Sequence, residues 1–310
     1  MIRKGIIVTA VLCASLAAAP FGPAAASDGW QRVGSGIRGG VSGMALTEGA
    51  PAGRGLADAV VVRDTEGDLE NGLATVRLRP GRDPVVTELP WLGMSPADLE
   101  ALDAVPGQPG HYVALASRGD AYHVVVANGR ATAEHAALPG RHDGDNYESF
   151  ALHRDRSGRT FAVWATRGSG AEKAVVHAAS VHIGPTGLNF GMVSARQEFS
   201  VPFPDEGEVC HISDLKVLDD GTVMVSAASD PDVSAGPFAS AVYDAGRLTV
   251  NPAHDAVLRM KPEQALTPLS RFTRQDNRKI EAIAFLPGRL GLWGTDDEDF
   301  GGSVMFARAG

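Results

Sequence analysis

Five positions that recur along the chain carry side-chain oxygen: Ser42, Glu100, Glu148, Ser213 and Glu281. Each is the third residue of one short pattern: variable, apolar, Ser or Glu, small or Asp, apolar, variable, apolar. The copies are GVSGMAL (40–46), DLEALDA (98–104), NYESFAL (146–152), HISDLKV (211–217) and KIEAIAF (279–285), with the oxygen-bearing residues 58, 48, 65 and 68 positions apart. Equivalent places in repeated units come to equivalent places in space, so three carboxylates are expected to converge. Two like charges about 4 Å apart repel by roughly 4 kcal/mol at an effective dielectric of 20. Protons or a cation must relieve this. Ca²⁺ suits an all-oxygen set of Ser, Glu and backbone carbonyls, whereas the absence of His and Cys from the five argues against Zn²⁺. The alternative is a wide polar channel whose carboxylates are solvated by water.

A second set follows from what comes after each pattern. A turn leads to a β-rich run, and an antiparallel return brings the end of that run back beside the start of the first strand. The residues there are Arg63-Asp64, Ser117-Arg118, Thr166-Arg167, Ser229-Asp230 and Thr295-Asp296. Arg63, Arg118 and Arg167 form a candidate anion site, since guanidinium forks match phosphate and carboxylate. Asp230 and Asp296, the latter followed by Asp297, Glu298 and Asp299, are candidates for a general base or a second metal site. Hydrolysis of an anionic, phosphate-type ester is one chemistry this permits. Non-catalytic ligand or protein binding is the alternative, and interblade salt bridges at a solvated rim would look the same in sequence.

The elements that must position these residues are strands. Short β-branched runs such as DAVVV (58–62), HYVALAS (111–117) and TFAVWAT (160–166) alternate with Gly, Pro and Asp turns, which reads as hairpins and meanders. Pro96–Leu102 is the best helical candidate and lies inside a repeat. Units of three to four antiparallel strands returning five times predict an all-β, five-bladed β-propeller. The fifth unit ends after its third strand. The segment 30–36, which precedes the first repeat, is therefore expected to supply the last blade's outer strand and close the ring. A sandwich would not explain the five-fold return.

The order Ser, Glu, Glu, Ser, Glu around five units resembles the calcium-activated nucleotidase (apyrase) fold. That resemblance implies one structural Ca²⁺ in the central channel, held by side chains or backbone oxygens at these positions. The family's Asp-Asp-Arg-Thr-Gly-like stretch has no counterpart here, so nucleotide chemistry is not implied. KIEAIAFLPGRLGLWGTDDEDFGG (279–302), DLEALDAVPG and NYESFALHRDRSG are similar to repeats of secreted esterase-like and phytase-like propellers, which implies the same fold.

Residues 1–26 read as a secretory signal: Arg3 and Lys4, an apolar run, then Ala24-Ala25-Ala26. The run is too short for a spanning helix, and Leu12 before Cys13 does not suit a lipidation site. Residues 27–310 are expected to be one secreted, extracellular domain, a monomer that binds neither nucleic acid nor membrane. The formal net charge is −9, and losing Arg3 and Lys4 with the leader makes it more negative by two. Such a surface repels polyanions. Only Cys210 remains after cleavage, so no disulfide forms within the domain, and a buried structural thiol is expected. No HExxH, P-loop or nucleophile elbow occurs. A glycosidase needs two opposed carboxylates and an open cleft, which a Ca²⁺-engaged ring would not provide.

Overall fold

The computed structural model describes residues 29–64, 72–184, 187–205, 208–229 and 234–308. The 1–26 leader and Asp230 lie outside the described residues. Strand β1 (Gln31–Arg32) is followed by β2 (Gly43–Leu46), β3 (Ala57–Val62), β4 (Leu73–Leu78) and β5 (Val85–Glu88), the last four forming blade 1. Blade 2 is β6 (Leu99–Ala104), β7 (His111–Ala116), β8 (Asp120–Ala127) and β9 (Arg130–Ala137). Blade 3 is β10 (Tyr147–Arg154), β11 (Thr160–Thr166), β12 (Ala174–Gly184) and β13 (Gly187–Phe199). Blade 4 is β14 (Val209–Val217), β15 (Thr222–Ser229) and β16 (Ser240–Val250), with β17 (Ala256–Met260) and β18 (Pro268–Phe272) sharing the outer edge of β16. Blade 5 is β19 (Ile280–Leu286), β20 (Leu290–Thr295) and β21 (Ser303–Arg308).

All neighbouring strands are antiparallel, and the chain is a five-bladed β-propeller. Strand β1 pairs with β21 through Gln31↔Val304 and Arg32↔Ser303, so the N-terminal strand closes the last blade. The inner strands β2, β6, β10, β14 and β19 pack in sequence around the axis, with β19 against β2.

The repeat pattern explains this packing. Alternate apolar residues of each inner strand face a neighbouring blade, and the second strands carry apolar side chains on both faces. Five apolar cores result, one between each pair of blades. Trp164 lies fully buried between blades 2 and 3, and Trp293 between blades 4 and 5. Trp91 is half-buried against the core between blades 1 and 2. Pro96–Leu102 is not a helix, because Leu99 and Leu102 take the alternating inward places of β6 in the core between blades 1 and 2. Cys210 is a free, buried thiol on β14. Burial raises its pKa, as a packing residue's thiol should behave.

Candidate functional site

The start of each inner strand decides where its oxygen-bearing residue points. In blades 2, 3 and 5 the pairing register shifts between Leu99 and Ala101, Tyr147 and Ser149, and Ile280 and Ala282. Glu100, Glu148 and Glu281 are thus each the extra residue of a bulge, which frees the side chain from alternation and re-aims it. The three carboxylates converge at one mouth of the channel. Burial, and then the Glu148, Asp64, Glu281 and Asp98 carboxylates, hold Glu100 well above the usual carboxylate range. Burial also holds Glu281 well above it, with Lys279 pulling the other way and Asp296 and Glu148 adding to the rise.

The two serines behave differently. Ser213 is buried, donates to the Ile280 carbonyl oxygen at 2.7 Å and lies 3.0 Å from the Ser226 hydroxyl, joining blade 4 to blade 5. The Ser42 hydroxyl accepts from the Asp64 N–H at 3.0 Å and lies 3.4 Å from an Asp296 carboxylate oxygen.

Basic side chains partner two of the glutamates. Arg167 lies 3.4 Å from Glu148, and Lys279 lies 3.1 Å from Glu281 and 2.6 Å from Glu298. Glu100 has no basic partner among the described residues. Instead, one carboxylate oxygen from each of Asp64, Asp98 and Glu100 lies within 4.8 Å of the others. Asp98 is held in the left-handed region at φ 59°, and the Ser117 hydroxyl donates to it. This off-axis triple, between blades 1 and 2, is the tightest cation-ready set among the described residues.

Two clefts meet over Asp64, Glu100, Glu148 and Arg167. One, of about 670 Å³, runs between blades 2 and 3, and its walls include Arg118, Arg141 and Asn146. The other, of about 450 Å³, runs toward blade 5 past Arg38, Lys279, Glu281 and Asp296. Arg118 is exposed and without a hydrogen-bond or ion-pair partner among the described residues. Arg141 is tied to Asp120 at 2.7 Å. Arg63 is elsewhere: buried, with its guanidinium on the Val33 carbonyl oxygen and Glu88, both at 3.3 Å, it clamps the closing N-terminal segment. Of the acidic run, Asp297 is spent on Arg278, the Lys279 N–H and Thr295, while Asp296 faces the cleft, its carboxyl pushed up to about 6 by burial against the pull of Lys279.

Asp98, Arg141, Asn146 and Lys279 add to the residues expected from sequence. A signal for three of them exists, two places before each recurrent Ser or Glu: Gly40, Asp98, Asn146, His211 and Lys279 form a column of their own. In blade 4 this column turns inward. His211 is buried, donating from Nε2 to the Gly170 carbonyl oxygen at 2.9 Å and accepting the Val201 N–H on Nδ1 at 3.4 Å.

No family model and no curated protein matches the chain. Solved structures do. A thermostable family-43 glycoside hydrolase aligns with a TM-score of 0.46 at 10% identity, over 90% of this chain and 92% of that one. A second glycoside hydrolase aligns with a TM-score of 0.51 at 10% identity, over 90% of this chain and 62% of that one. No family match supports the resemblance to the nucleotidases, which rests on the five-residue order. At such identity the likeness establishes the propeller fold and leaves the chemistry to the side chains of the mouth.

Proposed function

We propose that this protein is a divalent-cation-dependent hydrolase of a small anionic ester, a phosphate ester in the first place, working where the two clefts meet. The observation that carries the reading is Glu100: a half-buried carboxyl facing four other carboxylates, with no basic side chain in hydrogen-bond or ion-pair contact with it among the described residues. A cation bound by Asp64, Asp98 and Glu100 offsets that repulsion. The all-oxygen set favours Ca²⁺, which is plentiful where the expected export through the 1–26 leader would deliver the chain. Arg118, Arg141 and Arg167 then receive the anion beside the metal. An ion held by Asp64, Asp98 and Glu100 would supply Lewis-acid polarisation of a phosphoryl oxygen; hydrolysis adds water to phosphorus and breaks the ester P–O bond, giving the alcohol and inorganic phosphate.

The test is turnover of 4-nitrophenyl phosphate by the purified chain with Ca²⁺ and with chelator. Expected are release of nitrophenol that stops on chelation, a fall of roughly tenfold or more in Glu100→Gln, and a raised KM in Arg118→Ala. Release indifferent to chelator, or release from aryl glycosides and not from the phosphate, overturns the reading. A melting temperature raised by Ca²⁺ and phosphate, with no product, would mark a binding propeller instead.

A further inference from the structure

The column at Gly40, Asp98, Asn146, His211 and Lys279 has one gap: blade 1 contributes glycine. The space is filled nonetheless. A Cβ built on Gly40 would stand 2.1 Å from both Cγ and Oδ2 of Asp296 and 2.3 Å from its Oδ1. Blade 5 therefore places a carboxylate where blade 1 omits a side chain. Gly40 has φ −58° and ψ 166°, a conformation open to any residue. Its backbone does not require glycine; the Asp296 carboxylate does.

Asp296 is held there from both sides. The Glu298 N–H donates to Oδ1 at 3.1 Å, and the Ser42 hydroxyl lies 3.4 Å from Oδ2. It lines the blade-5 cleft, across the shared Asp64, Glu100 and Glu148 from the wall that carries Arg118 and Arg141. An ester bound by those arginines with its leaving oxygen turned away from blade 5 would take its in-line water from this cleft.

Resting on the hydrolase reading, we propose that Asp296 is the catalytic base that activates this water and that Gly40 is its positioning residue. Asp296 takes one proton as the water oxygen bonds to phosphorus. The ester P–O bond breaks, the departing alkoxide takes a proton from solvent, and Asp296 returns its own to solvent. The net change is addition of one water across the P–O bond. Its carboxyl, raised to about 6 by burial, is suited to holding a proton briefly near neutral pH.

The experiment is a double-mutant cycle on the full chain, with 4-nitrophenyl phosphate and Ca²⁺ as the probe. Gly40→Ala should lower kcat roughly 100-fold with KM nearly unchanged, and Asp296→Asn, which keeps the shape, should do the same. In an Asp296→Ala background, where the methyl group meets no carboxylate, adding Gly40→Ala should change kcat by less than about twofold. Additive losses in the double variant, or a Gly40→Ala effect confined to KM, overturn the positioning role. Ca²⁺-dependent turnover that survives Asp296→Asn overturns the base and leaves the hydrolase reading intact. A wild-type chain that releases no product sinks both.

Discussion

Carboxylates are buried at two levels of the same channel, and they are treated in opposite ways. At the lower level Asp214 on β14 has no exposure, and the Lys216 ammonium reaches both of its oxygens at 3.1 and 3.2 Å. The backbone N–H groups of Leu215 and Ile283 donate to the same carboxylate at 2.7 and 2.8 Å. Lys216 also donates across the axis to the Leu102 carbonyl oxygen at 3.1 Å, and Asp103 accepts the Leu152 N–H at 2.8 Å. Every oxygen of Asp214 is engaged, and the cluster joins blades 2, 4 and 5, with Asp103 tying in blade 3. At the mouth Glu100 has none of this. A buried polar group with all its partners is structural, and one without them is held ready for something else. At the lower level the protein itself supplies the positive charge, as Lys216.

The largest effect that could break this contrast is at the lower level. Lys216→Met keeps most of the volume but leaves Asp214 buried without its cation, a loss of about 3–5 kcal/mol in urea unfolding. Replacing the pair by Met and Leu together should recover most of that loss. If the single variant is as stable as the parent, Lys216 does not hold the blades and the distinction between the two levels fails.

Arg63 and Arg118 repeat the lesson at the rim. In sequence they look alike, both within two residues of the end of their blade's second strand, Arg63 directly after β3 and Arg118 one place further on after Ser117. What separates them is distant: the segment closing the ring passes over Arg63 and uses it, whereas Arg118 is exposed, with nothing over it among the described residues. Arg63→Ala should cost about 1–3 kcal/mol, since it strips a buried carbonyl of a charged donor, and should leave phosphate affinity unchanged. A variant as stable as the parent that no longer binds phosphate would place Arg63 in the site.

The inner, second and third strands were legible because their apolar faces recur in every blade. The outer strands were not: β9, RATAEHAA, alternates small and polar residues with no apolar face, and β5 is mostly exposed. The converging glutamates were legible from the repeat. That bulges at residues 100, 148 and 281 would aim them, and that Ser213 would turn to the Ile280 carbonyl oxygen, depended on register, which the pattern does not encode. Nor could the sequence show that Asp296 from blade 5 would occupy the place of a missing blade 1 side chain.

The smallest effect is the most diagnostic, because its sign is unusual. Removing a half-buried carboxylate normally destabilises, yet Glu100→Gln should raise the melting temperature of the metal-free chain at pH 8 by a few degrees, on the order of 1 kcal/mol. Glu100 and Glu281 titrate above their ordinary range, Asp296 near 6 and Asp214 near 7. The folded chain therefore binds protons more tightly than the unfolded one. Their contribution to stability is complete below the unfolded values near 4 and is lost as pH climbs through the folded ones. In chelator, the parent should melt at a higher temperature at pH 5 than at pH 8, and Ca²⁺ should close that gap from the alkaline side. Glu100→Gln should narrow it without Ca²⁺ and remove the response to the ion. A Glu100→Gln chain whose fall in melting temperature between pH 5 and pH 8 in chelator equals the parent's would mean that Glu100 carries none of it, and would erase the difference between the two levels.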